Sequence, residues 1–326
     1  MVFFLPWVCR MEIIALIFPV FAIIVTGFLF ARFNVLPGNV AGSLTQFAFW
    51  VAIPALVFGV IAEQEISALL NWSFILVYGG VTSVLALLLF LAARFWRGMD
   101  LGMATMFAMV SVVSNTGIIG LPLLHALFGK DAAVLATLAI VVSIIVVVVQ
   151  VLVLETVTRG EGQSVSLLGP LRNAILNPMI MAAILGVIVA ALPISLPKMV
   201  VEYVDVLGGA LAPCALFAVG MVIDPSAIRR TGSVVAIATF VKLIALPSIV
   251  FAIALIFRFD PLMTVALVIS AAVPTAKNEF ILSEKYHQAE EITAETVSAT
   301  TALAVVTLIV WLLILSWVFP GAFSLS

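Results

Sequence analysis

Residues 114–122 read SNTGIIGLP and residues 272–279 read AVPTAKNE, two runs of small, polar and helix-breaking residues inside otherwise apolar segments. Glycine weakens a helix and proline removes one of its backbone donors, so neither run continues as an unbroken helix. Asn115 and Pro274 stand 159 positions apart, so the chain breaks twice in corresponding places. Backbone that is not helical is tolerated at membrane depth only where protein or a water-filled cavity surrounds it. The paired breaks therefore predict two discontinuous helices crossing near the middle of a bilayer.

Outward from the breaks, the same offset recurs. Pro19 and Gly27 return as Pro178 and Gly186, and Pro54 as Pro213, each 159 positions on. Leu36-Pro37 answers Leu196-Pro197, and Asp100 answers Asp260, at an offset of 160. The lipid setting follows from composition: 65% of the 326 residues are hydrophobic and 9% charged, and the mean hydropathy is +1.35. Soluble domains carry about 25% charged residues. Hydropathy and charge breaks place ten spans near 12–32, 43–62, 72–93, 101–128, 132–155, 174–193, 205–223, 233–257, 261–287 and 293–319, each close to the ~20 residues that cross a bilayer.

Five spans per half is an odd number, so the second copy enters the membrane from the opposite face, as in the inverted repeats of secondary transporters. The expected fold is all-α integral membrane, with ten transmembrane helices in an inverted 5+5 repeat and two broken helices crossing near the midplane. Residues 1–11 form an N-terminal extension, 12–158 the first repeat, 159–173 a cytoplasmic linker and 174–326 the second repeat. Met11 offers an alternative start to Met1.

Cytoplasmic loops hold the excess of Lys and Arg. With both termini outside, the inner connections carry Arg32, Arg94, Arg97, Arg159, Arg172, Arg229, Arg230 and Lys285, and the outer ones Arg10, Lys130, Lys198 and Arg258. The loop with Glu63 and Glu65 has no basic residue. Both termini are therefore expected outside a multi-pass protein of the cytoplasmic membrane.

Charges inside a membrane are costly and usually functional. Lys242, Lys277 and Glu279 are the expected intramembrane charges, a net of +1. Two half-helix N-termini add positive partial charge, so the site is expected to take an anion such as a small mono- or dicarboxylate. Lys277 and backbone N–H groups would hold its oxygens, with Asn115, Thr116, Thr275 and Asn278 as polar supplements and Gly117, Pro122 and Pro274 shaping the breaks. Glu279 is expected either to pair with Lys242 across spans eight and nine or to carry the proton of a coupled cycle.

Several classes fall away. No HExxH, GxSxG or paired Cys/His set occurs, so an enzyme is not expected. His125 and His287 lie nearer the interfaces than the breaks, and Cys9 and Cys214 suit neither a disulfide framework nor a metal site. The net charge of -2 gives no field for nucleic acid. No cofactor or metal is expected; the coupling ion is H+ or Na+, and the partners are the substrate anion, membrane lipid and a second copy in a homodimer.

NTGIIGLP at 115–122, PALVFG at 54–59, APCALFAVG at 212–220 and PTAKNEFILSEKY at 274–286 together resemble the auxin efflux carrier family, especially its bacterial malonate-permease-like members. The resemblance runs from Met11 over nearly the whole chain. It implies a fold similar to bile acid:sodium symporters, with a scaffold of spans one, two, six and seven and a transport domain of three to five and eight to ten. It places the substrate at the crossing helices, where Asn115, Pro122, Pro274 and Asn278 match. The long loop of plant auxin exporters is missing, with about 20 residues between spans five and six. The expected function is secondary active transport of a malonate- or malate-like anion by alternating access. The alternatives are a carrier of auxin-like or bile-acid-like amphipathic anions and a transporter-derived channel or sensor.

Overall fold

A computed structural model of the chain describes residues 7–64, 71–158, 168–192, 196–230 and 232–323. Met1 and the rest of the first six residues, Glu65, and residues 159–167 with Arg159 lie outside the described residues, as do the side chains of Cys9, Arg10, Met11, Arg229 and Arg230. The described residues form helices and no strand; an isolated antiparallel bridge joins Ser114 to Thr275.

The helices are α1 (Trp7–Arg32), α2 (Asn39–Phe47), α3 (Ile53–Ala62), α4 (Trp72–Phe95), α5 (Leu101–Val112), α6 (Leu121–Thr158), α7 (Leu168–Ile175), α8 (Pro178–Ala191), α9 (Lys198–Gly209), α10 (Leu211–Met221), α11 (Ser233–Phe240), α12 (Leu246–Ile256), α13 (Pro261–Ala272), α14 (Asn278–Tyr286) and α15 (Glu290–Val318). Seven helical stretches among the described residues are long and apolar enough to cross a membrane, and α5, α8 and α13 are shorter apolar helices. The expected fourth and ninth spans are split, as the two sequence runs require. The expected sixth is the 14-residue α8, which at 1.5 Å per residue reaches about 21 Å. The expected boundary between spans four and five is a turn within α6 at Gly129, whose φ of 75° suits a residue without Cβ.

Local chemistry sets the helix ends. Side chains of Asn71, Asp100, Asn177 and Asp260 accept hydrogen bonds from first-turn N–H groups of α4, α5, α8 and α13. Three π-helical turns, Ala48–Ala52, Thr116–Gly120 and Val241–Ala245, each end two residues before a proline, at Pro54, Pro122 and Pro247. A proline cannot donate to the carbonyl four residues back, and the helix widens by one residue there. Such widened turns gather at functional sites.

Packing sorts the helices into two groups. In the first, α1 crosses α10, α3 lies against α8 and α9, and α2 meets α10. In the second, α4 packs on α5, α6 and α12, α13 on α6, α12 and α15, and α11 on α15. Gly27 faces the Phe217 carbonyl and Gly220 the Ile24 carbonyl, so α1 and α10 touch backbone to backbone; Gly186 of α8 sits against Ile61 of α3. Small residues at crossings are how helices associate closely in lipid. Large apolar side chains such as Phe18, Leu76, Leu88, Ile184 and Trp317 stay exposed on the outside, as a lipid-facing surface requires.

Candidate functional site: the crossing of two broken helices

Helices α5 and α13 are each 12 residues long, start at a capping aspartate 160 positions apart, and stop where Val113 and Val273 turn extended. The chain then runs antiparallel to its counterpart for a few residues. Asn115 N–H donates to the Pro274 carbonyl at 2.8 Å and Ala276 N–H to that of Val113 at 3.4 Å. The Thr275 hydroxyl donates to the Val110 carbonyl at 2.7 Å and its N–H to Thr300 Oγ1 at 3.3 Å, which makes Thr275 part of the crossing's frame. Beyond the crossing, Asn115 Oδ1 accepts from Ile118 N–H at 3.4 Å and starts the turn that leads into α6, while Asn278 starts α14. Two helix N-termini and two C-termini thus meet in one layer.

Lys242 holds this crossing from behind. It is fully buried, and its ammonium donates to Ser114 Oγ at 2.7 Å and to the Ala271 carbonyl at 2.5 Å. Ala271 lies in the last turn of α13, where unpaired carbonyls and the negative end of the helix dipole attract a cation. The widened turn Val241–Ala245 brings Lys242 to that place. Pro247 cannot supply the donor that the Leu243 carbonyl would have in a regular helix, and Trp311 Nε1–H supplies it from α15 at 3.0 Å. The pairing expected between Lys242 and Glu279 is not formed: no ion pair joins them among the described residues, because the lysine's donors go to a hydroxyl and to helix-end carbonyls.

In front of the crossing lies a cavity of about 550 Å³. Asn115, Thr116, Gly117, Lys277, Asn278 and Glu279 line it. Lys277 and Asn278 are exposed to it, and the Lys277 ammonium has no hydrogen bond or ion pair among the described residues. Pro122, Pro274, Thr275 and Lys242 stand outside the lining and shape or brace the crossing. The cavity wall also contains Gln46, Trp50, Ser143 and Asn177, which the reading of the sequence missed. Each is a polar or aromatic residue in or at the edge of an apolar segment, which is the signal that could have drawn attention to them.

The cavity continues to Glu155, Gly169 and Lys285, and among the described residues none of the opposite end of the bundle lines it. At that opposite end Lys130 donates to Glu63 at 2.8 Å and lies 3.6 Å from Asp205. Lys130 and Glu155 are 25 residues apart on the arm of α6 that follows Gly129, about 37 Å at helical rise. The hydrogen bond to Glu63, helped by the charges of Glu63 and Asp205 and opposed by partial burial, holds the Lys130 ammonium above lysine's ordinary range. This triad joins α3 and α9 of the first group to α6 of the second.

A family model described as "Membrane transport protein" matches residues 12–312, which takes in both breaks, the cavity and the bracing lysine. The chain belongs to the auxin efflux carrier family of membrane transport proteins. Like the rest of this carrier family it is a transporter and not an enzyme. It is 30% identical over 91% of its length, and 93% of the relative's, to a Rhizobium meliloti (strain 1021) protein named "Putative malonate transporter". It is 26% identical over 88% of its length, and 93% of the relative's, to auxin efflux carrier component 8 of Arabidopsis thaliana. An uncharacterized transporter of Methanothermobacter thermautotrophicus matches at 23% over 91% of this chain and 96% of its own.

Proposed function

We propose that this chain is a secondary active transporter for a small organic anion of the malonate or malate type. The observation that carries the reading is Lys277, an unpaired ammonium facing a cavity at the crossing of two broken helices. An unpaired cation on the wall of such a cavity calls for an anionic ligand, and the positive ends of α14 and of the turn into α6 point the same way. Asn115, Thr116, Gly117 and Asn278 supply the polar contacts that orient carboxylate oxygens. The relative named as a malonate transporter supports a short dicarboxylate.

In this reading the chain crosses the cytoplasmic membrane ten times, as an inverted repeat with halves at 12–158 and 174–326, and both termini lie outside. The helix group of α1–α3 and α8–α10 is the scaffold, and the group of α4–α6 and α11–α15 moves against it by alternating access. A proton or sodium gradient drives the cycle, and the carrier works as a homodimer. With this topology the cavity faces the cytoplasm and the Lys130 triad closes the outer side.

The test is thermal stability of the detergent-purified protein with short mono-, di- and tricarboxylates, indoles and bile salts, alongside Lys277→Ala. A ligand at 100 times its dissociation constant stabilises by about 2.7 kcal/mol. Malonate or malate should protect the wild type and not the variant. Equal protection of both forms by an indole or bile salt, with none from the carboxylates, overturns the substrate class. That outcome has one observation in its favour, the aromatic wall of Phe49 and Trp50.

A further inference from the structure

We propose that Glu279 is a proton-binding site on the cavity wall, whose proton crosses the membrane together with the anion. The proposal rests on the carrier reading above and names the ion that drives it.

Glu279 lies in the first turn of α14, two residues beyond Lys277, and lines the same cavity. Its side chain has no exposed surface, and neither carboxylate oxygen has a hydrogen-bond partner among the described residues. An ionised carboxylate without partners is strongly disfavoured in a dry interior. The N-terminal dipole of α14 offsets only a part of that cost, because its effect is weak beside the loss of hydration. A full counter-charge is therefore required, and none of the described side chains provides it.

The described neighbours of Glu279 can be taken group by group. On α14 itself, Lys277 turns to the cavity, Glu284 lies one to two turns on, and Lys285 and Tyr286 sit at the far end beside each other. Helix α6 brings Glu155, which accepts from Tyr286 at 3.2 Å. Helix α15 brings Glu290, Glu291 and Glu295, all acids, and α5 brings no titratable residue between Leu101 and Val112. Lys242, the one buried cation among the described residues, is engaged with Ser114 and Ala271.

One proton satisfies Glu279 with no other ligand. The carboxylate takes a proton from solution, becomes a neutral acid, and returns the same proton when the cavity opens to the other side. No bond other than O–H forms or breaks. Each cycle then moves the anion with one compensating positive charge, and Lys277 remains free to hold the anion itself.

The experiment uses the full chain in proteoliposomes with labelled malonate as the probe. For one coupled proton, a gradient of one pH unit raises the malonate accumulation ratio about tenfold. Glu279→Gln, which mimics the protonated acid, should fold and should bring the ratio down to its value without a gradient. Full accumulation by Glu279→Gln under the pH gradient overturns the proposal, and so does accumulation by the wild type under a sodium gradient alone. A second arm needs no substrate: infrared difference spectra across a pH titration should show a carboxylic acid carbonyl band in the wild type that is absent from Glu279→Gln. Identical spectra overturn the proposal, as does failure of Glu279→Gln to fold where Glu279→Asp folds. If malonate protects neither the wild type nor Lys277→Ala, the substrate reading fails, and the infrared arm still decides Glu279.

Discussion

The Lys242 ammonium donates to Ser114 Oγ at 2.7 Å, across 128 positions of sequence, and so ties the widened turn before α12 to the break that follows α5. A charge at this depth looks like part of a substrate site, yet this one is walled off from the cavity and serves its frame.

Replacing Lys242 by Met keeps most of the volume and removes the donors. The Ala271 carbonyl and Ser114 are then left with unmet hydrogen-bonding capacity, at a cost of about 1–3 kcal/mol. Thermal unfolding in detergent should show the loss in apo protein, and any ligand that protects the wild type should still protect Lys242→Met.

The Lys130 triad behaves differently. Its members are 37% to 49% exposed, and exposed ion pairs contribute only ~0.2–1 kcal/mol to stability. Lys130→Ala should therefore melt almost as the wild type does. The triad bridges the two helix groups, however, so a loss of ~1 kcal/mol shifts an equilibrium between open states about fivefold. Labelling of Thr45→Cys, in a background without Cys9 and Cys214, should fall in Lys130→Ala as the cavity spends less time open.

The pH dependence of that bridge has a definite sign. Because the Lys130 ammonium is held above its ordinary range, its contribution is complete below the unfolded lysine value of ~10.4 and disappears as pH rises through the higher folded value. Between pH 6 and 9 (roughly, on that scale) the effect of Lys130→Ala on labelling should stay constant as far as the lysine is concerned, and it should shrink in high salt.

At the α1–α10 crossing, a methyl group on Gly27 would overlap the Phe217 carbonyl. Gly27→Ala forces the two backbones apart and should cost about 1–3 kcal/mol. Gly80, on the exposed side of α4 with nothing near its missing Cβ, is the control. There alanine should be neutral or stabilise by up to ~1 kcal/mol, since glycine is a poor helix former. Melting temperatures of the two variants, compared side by side, check both claims.

Trp311→Phe removes the donor to the Leu243 carbonyl and keeps most of the ring's packing. The loss should be about 1–3 kcal/mol, and because that bond steadies the turn carrying Lys242, Trp311→Phe and Lys242→Met should be less than additive in a double-mutant cycle.

The two breaks were legible because Gly, Pro and polar residues stand out in an apolar chain, and their equal spacing drew the halves together. The aim of Lys242 was not, since it depends on a π turn whose freed carbonyl is met by Trp311, 68 positions away. Charge and depth left a Lys242–Glu279 pair as one of two readings; the carbonyls at the end of α13 are a competing acceptor that no sequence pattern announces. Thr275 likewise belongs to the frame and not to the lining, because its hydroxyl is taken by the Val110 carbonyl. Gln46 and Ser143 stand out as lone polar residues in apolar stretches, but that they face the cavity follows only from how their helices pack. Lys130, Glu63 and Asp205 come from three separate segments, and only packing makes them neighbours.

The cavity that reaches Lys285 and Gly169 but not Lys130 gives the protein a handedness in any reconstituted vesicle. Proteins inserted in random orientation present two unlike faces to the bath, and a bulky, impermeant blocker would silence only the molecules whose Lys285 end points outward. The unblocked remainder, measured before any transport is interpreted, reports how the molecules were inserted.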